Sequence, residues 1–157
     1  ITCDIALLKL FDSVKVMKPF SIEGQVTLGQ DVYFLGFPKF NNLDFYTSSN
    51  IGILPLVKSG IISGWINTGI YNLYFLDGHN NPGFSGGPAL CIDKTTGAPV
   101  IFGVISGYFI ENKQVNKIDT GHKSKVMISD SDYIQENSGI IKCYPAILAQ
   151  QIINRAK

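Results

Sequence analysis

The sequence predicts an all-β barrel closed by a single C-terminal helix, and three observations carry that reading. Short runs of strand-forming residues recur along the chain, separated by clusters of glycine, proline and asparagine. Sixteen glycines and seven prolines accompany ten phenylalanines and seven tyrosines, a balance that suits strands and turns better than a helical bundle. Helical spacing of apolar residues emerges at the end, where Ala146, Leu148, Ala149, Ile152 and Ile153 follow Pro145.

Taken in order, residues 4–10 are short, apolar and strand-like, and residues 11–21 read as a connector. Residues 31–37 form a β-propensity run stopped by Pro38. Residues 41–50 are polar and loop-like, and residues 54–66 read as a strand pair punctuated by Gly60 and Gly64. Residues 70–76 are a further strand, rich in Tyr and Phe. Residues 77–83, Asp-Gly-His-Asn-Asn-Pro-Gly, must be a loop. Residues 87–92 and 100–110 read as two strands joined by a turn at 93–99. The polar stretch 111–138 reads as a long surface loop with a hairpin around residues 126–128. Residues 145–156 form the terminal helix, with proline in its first turn. Many short strands with one closing helix indicate a barrel. No internal repeat or low-complexity segment is present.

The bulk numbers exclude several function classes. With 157 residues, 45% of them apolar and 16% charged, the chain can bury the core of one ordinary domain. A net charge of +1 points to neither a nucleic acid nor an anionic membrane as partner. No apolar run reaches the ~18–20 residues that span a bilayer. Cys3, Cys91 and Cys143 are too few and too scattered for a disulfide framework, and read as buried thiols. Together with His79 and His122 they form no zinc-binding spacing, so no metal site is expected.

The sharpest chemical signal is Gly83-Phe84-Ser85-Gly86-Gly87-Pro88. A serine hydroxyl is a poor nucleophile and needs an adjacent base, plus donors for the oxyanion that forms on attack. Glycines on both sides of Ser85 let the backbone fold tightly enough for N–H groups to converge on one spot. An incidental serine in a glycine-rich turn gives the same local pattern, so the neighbouring segments decide.

Those segments resemble the trypsin-like, chymotrypsin-fold serine proteases, and most closely the bacterial Deg-type (high-temperature-requirement) and related trypsin-like peptidase domains. Asp4-Ile5-Ala6-Leu7-Leu8 is similar to the strand that the family's triad aspartate opens. Asn81-Pro82-Gly83-Phe84-Ser85-Gly86-Gly87-Pro88 is similar to its nucleophile motif. Residues 31–38 resemble its strand ending in Gly-Phe-Pro, Val57-Lys58-Ser59-Gly60-Ile61-Ile62-Ser63 its V-x-x-G-I-I-S strand, and residues 139–145 its strand-to-helix passage. The matching segments follow the family's order and span nearly the whole chain.

The resemblance implies a chymotrypsin-like double β-barrel, seen here mainly as its C-terminal barrel with a C-terminal helix. Residues 1–22 would be the last strand of the first barrel with the inter-barrel connector, and residues 23–157 the second barrel. It implies a serine endopeptidase acting on polypeptides through an acyl-enzyme on Ser85. Asp4 would orient the histidine, and the N–H groups of Gly83 and Ser85 would hold the oxyanion. Ser106 and Gly107 match the strand that pairs with substrate backbone. His79 falls where the specificity pocket has its base, although an exposed loop residue is the simpler reading of it.

The family's order of His, Asp, Ser places the base upstream of Asp4, where only three residues stand, and neither His79 nor His122 lies in the matching position. A cut fragment of a longer protease is the expectation, inactive alone and with an apolar face exposed. Two other functions compete. A catalytically inactive relative would bind a peptide or protein by strand addition. An α/β-hydrolase would use Ser85 with Asp93 or Asp119 and His122, but its elbow demands a helix after the serine, and here Pro88 and a β-rich run follow.

Overall fold

The computed structural model describes residues 5, 20–22, 25–38, 54–114 and 133–155. Along the chain they form β1 (Ser21–Ile22), β2 (Asp31–Gly36), β3 (Leu56–Asn67), β4 (Asn72–Asp77), β5 (Pro88–Ile92), β6 (Pro99–Gln114), β7 (Tyr133–Pro145) and α1 (Ile147–Arg155). The strands are neighbours in the order β1-β6-β5-β2-β3-β4-β7, and β7 pairs back onto β6. The sheet therefore closes on itself from β2 to β7, which removes the open edges a flat sheet would expose. Every pairing in the ring is antiparallel, and the two-residue β1 joins β6 in parallel from outside it. The all-β architecture with one closing helix is as expected from the sequence.

Alternation along the strands builds the core. Val32 and Phe34 point inward from β2 while Asp31 and Tyr33 face out. Tyr74 and Leu76 of β4, Phe102 and Ile105 of β6, and Ile141 and Cys143 of β7 fill the same interior. Edge-to-face packing of Tyr74 on Phe102, with centroids 5.9 Å apart, ties together the two strands that flank β7. Gly103 is required at its point on β6, because a Cβ there would run into the Cys143 sulfur and come within 2.9 Å of the Tyr144 carbonyl.

Three details differ from the sequence reading. Residues 54–66 do not form a strand pair: β3 is one strand of 12 residues, with a bulge between Ile62 and Gly64 against β4. Gly60 is there because the Asp77 carbonyl lies where its Cβ would be, not to make a turn. Residues 111–114 and 133–138 are not loop: they lengthen β6 and β7 into a ribbon closed by a 2.5 Å Lys113–Glu136 ion pair. The expected hairpin around residues 126–128 lies outside the described residues. Pro145 is the last residue of β7, and α1 starts two positions later. No residue of α1 is fully buried, so its apolar stripe stays half open, with Ile152 and Ile153 exposed. No helix among the described residues is long and apolar enough to cross a membrane.

Cys91 and Cys143 are both buried, as read from the sequence, while Cys3 lies outside the described residues. Burial pushes the Cys143 thiol well above its ordinary pKa. At pH 8 the folded protein should therefore leave Cys143 unmodified by iodoacetamide, and urea should make it reactive. Peptide mapping that finds Cys143 alkylated in the folded state would contradict this packing.

Candidate active site

The loop from Gly78 to Gly87 leaves β4, turns twice and enters β5. Its central anchor is Phe84, which is fully buried and meets Phe34 edge to face at 5.5 Å. Gly36 makes room for it, since a Cβ there would sit 2.6 Å from the Phe84 ring. With Phe84 facing in, the next residue faces out, and Ser85 is exposed at a tight turn.

The backbone of this turn is tied on both sides. Phe37 N–H donates to the Gly83 carbonyl at 2.9 Å. Gly86 N–H donates to the Ile105 carbonyl at 2.7 Å, and Ile105 N–H to the Gly87 carbonyl at 2.9 Å. Within the loop, Phe84 N–H reaches the Asn81 carbonyl at 3.3 Å and Gly87 N–H the Phe84 carbonyl at 2.9 Å. The N–H groups of Phe84, Gly86 and Gly87 are thus committed. Those of Gly83 and Ser85 donate no hydrogen bond among the described residues. Unengaged N–H donors beside a serine hydroxyl are what stabilisation of an oxyanion requires.

The glycines at 83, 86 and 87 serve different physical needs. Gly83 has φ +102° and its Cβ would lie 2.5 Å from the Phe37 carbonyl oxygen. Gly86 has φ +83° with open space around it. At Gly87 a Cβ would run into the Leu35 carbonyl.

Ser106 and Gly107 lie just past Ile105, where a bulge in β6 shifts its register against β7. The bonds between Ile105 and the Gly86-Gly87 pair bring this stretch beside the serine turn. His79 is exposed on the loop ahead of Ser85, as its simpler reading expected. Asp4 and His122 lie outside the described residues. The structure therefore gathers Gly83, Ser85, Ser106 and Gly107 at one end of the barrel.

Sequence reasoning missed the residues that hold the loop. Lys58 on β3 donates from Nζ to the His79 carbonyl at 2.8 Å and to Asn81 Oδ1, and stands 5.2 Å from the Phe84 ring centroid. From the other side, Asn137 Nδ2 donates to the Asn80 carbonyl and Gly78 N–H to the Gly139 carbonyl at 2.9 Å. Asn80 is 1% exposed, and neither polar atom of its side chain has a hydrogen-bond partner among the described residues. The available signal was that Lys58 is the one charge between Asp44 and Asp77. A cavity of about 490 Å³ at the far end of the barrel, between Val26, Trp65, Tyr74 and Asp93, includes none of the expected site residues.

A family model described as the trypsin-like peptidase domain matches residues 1–100. No curated protein matches the chain.

The turn geometry ranks the glycine substitutions. Gly86→Ala should lower stability by about 1 kcal/mol, for the left-handed backbone alone. Gly83→Ala and Gly87→Ala should each cost more, about 2–4 kcal/mol, because backbone atoms must move. Urea midpoints for the three variants test the order, and Gly86→Ala proving the worst would refute it.

Proposed function

The chain belongs to the trypsin-like peptidase domain family, and on that premise we propose that it is a serine endopeptidase with Ser85 as nucleophile. Its function is of the serine-protease kind, and its substrates are polypeptides. The observation that carries the finer assignment is the exposed Ser85, with its own N–H and that of Gly83 unengaged while the neighbouring N–H groups are used by the fold.

In this reading Ser85 Oγ attacks the carbonyl carbon of the scissile peptide, and a histidine takes the hydroxyl proton. The family's order of residues puts that histidine upstream of Asp4, whose carboxylate orients the imidazole and stabilises it once charged. The carbonyl oxygen, now negative, accepts hydrogen bonds from Gly83 and Ser85 N–H. The imidazolium protonates the leaving amine as the C–N bond breaks, which leaves an acyl-enzyme on Ser85. A water deprotonated by the same histidine then attacks the ester and frees the acid.

The stretch at Ser106 and Gly107 presents backbone groups for an extended substrate strand next to Ser85. His79 falls in the stretch that would form the base of the side-chain pocket. The chemistry needs no cofactor. We assign residues 23–157 to the second barrel of the fold and residues 1–22 to the last strand of the first barrel and its connector, and we place the chain with the Deg-type peptidases within the family.

The test is covalent labelling of the natural full-length protein by a fluorophosphonate. The protein should label at a single serine, and Ser85→Ala should abolish it. Asp4→Asn should slow labelling by ~10⁴-fold, since the histidine then takes the wrong tautomer. A folded full-length protein that does not label, with any zymogen-like form excluded, would replace this reading with that of a peptide-binding relative.

A further inference from the structure

We propose that Lys58 is a positioning residue for the nucleophile loop, holding the backbone ahead of Ser85 so that the Gly83 and Ser85 N–H groups stay aimed at the reacting carbonyl; this rests on Ser85 being the nucleophile. Lys58 sits on β3 directly opposite Phe34 of β2. From there its ammonium spans three loop residues. It donates to the His79 carbonyl at 2.8 Å, donates to Asn81 Oδ1, and lies over the Phe84 ring at 5.2 Å from the centroid. An ammonium is a compact charge with several donors, so it can serve two acceptors and a ring face at once.

The environment argues against an incidental surface lysine. Lys58 is half-buried in a strand whose neighbours are apolar or small. Burial holds its ammonium below the ordinary lysine pKa, because the charged form gives up part of its solvation there. It is also the only charge for a long stretch of sequence on either side, from Asp44 to Asp77.

The division of labour in the loop separates positioning from folding. Residues 78 and 80 are held from β7, through the Gly139 carbonyl and Asn137 Nδ2. Residues 79 and 81 are held from β3, through Lys58 alone among the described side chains. Phe84 N–H in turn hydrogen-bonds the Asn81 carbonyl. The position of Asn81 is thereby passed to the residue between Gly83 and Ser85. Loss of Lys58 leaves the barrel, the β7 tethers and the Phe84–Phe34 packing in place. What it releases is the segment from His79 to Asn81, and the Asn81 carbonyl passes that freedom to Phe84 N–H, between the Gly83 and Ser85 donors that must sit within a few tenths of an ångström of the oxyanion position. The effect should fall on the transition state more than on substrate binding.

The experiment compares the natural full-length protein with Ser85→Ala, Lys58→Met, Lys58→Arg and, as a control on the remote turn after β5, Lys94→Met. The readouts are the fluorophosphonate labelling rate, kcat and KM on a fluorogenic peptide, and the thermal midpoint. Lys58→Met should lower kcat and the labelling rate about 10- to 100-fold, with KM changed less than about twofold and the midpoint shifted by only a few degrees. Lys58→Arg, which keeps charge and donors, should recover most of the loss, and Lys94→Met should match the parent. If Lys58→Met does not fold, Asn81→Ala removes one acceptor from the other side and should show the same split of kcat from KM. The proposal is overturned if Lys58→Met labels at the parent rate while Ser85→Ala does not label. It is equally overturned if Met and Arg lose activity alike, in step with the thermal midpoint. A parent that does not label refutes the nucleophile assignment itself, and Lys58 positioning with it.

Discussion

Burial of the Phe84 ring against Phe34 decides where Ser85 points. A side chain of that size, once inside the barrel, fixes the backbone on both sides of itself, and its burial outweighs the cost of two left-handed glycines in the same turn. Gly36 is small so that the ring can enter, Gly87 is small so that the chain can leave past Leu35, and Gly83 is small so that it can pass Phe37. The glycine-rich motif is the imprint of one aromatic anchor on the strands that surround it. The catalytic chemistry assigned to Ser85 is then possible because the hydroxyl is held outside a rigid wall and the unengaged N–H groups lie on either side of the anchor.

The ring of strands supplies the second requirement, a fixed partner for the turn. β6 pairs with β5 in its first half and with β7 through the rest, and it bulges at Ser106 soon after the change of partner. Where β5 ends, Ile105 exchanges hydrogen bonds with Gly86 and Gly87 instead. The same strand therefore continues the barrel wall, ties down the turn and carries the proposed substrate-pairing stretch. A chymotrypsin-like all-β fold achieves this because a bulged strand can redirect its edge without breaking the sheet.

Much of this was legible in the sequence, for identifiable reasons. The strands of the barrel show alternation or dense apolar runs, and the serine turn shows the glycines its backbone demands. Gly60 and Gly64 were misleading, because a glycine that admits a neighbouring carbonyl looks the same in sequence as one that makes a turn. The outer parts of β6 and β7 read as loop in the sequence because both faces of the ribbon meet water, so polarity there reflects exposure and not the absence of pairing. The grips of Lys58 and Asn137 on the loop were invisible, since each joins residues more than twenty positions apart and no local pattern encodes them. The role proposed for Asp4 rests on its place in the motif order alone, since it lies outside the described residues.

The tethers of the serine turn come from distant parts of the chain: Phe37, Lys58, Ile105 and Asn137. During synthesis the first three emerge well before the last, which belongs to β7, the strand at Tyr133–Pro145 that seals the ring. Contacts of such long sequence separation form late, because the loop-closure entropy must be met before they can add stability. A nascent chain or a partly unfolded molecule can present the serine but not the rigid cradle around it. The fold thus times its own competence, and the cradle around the serine turn arises together with the finished barrel.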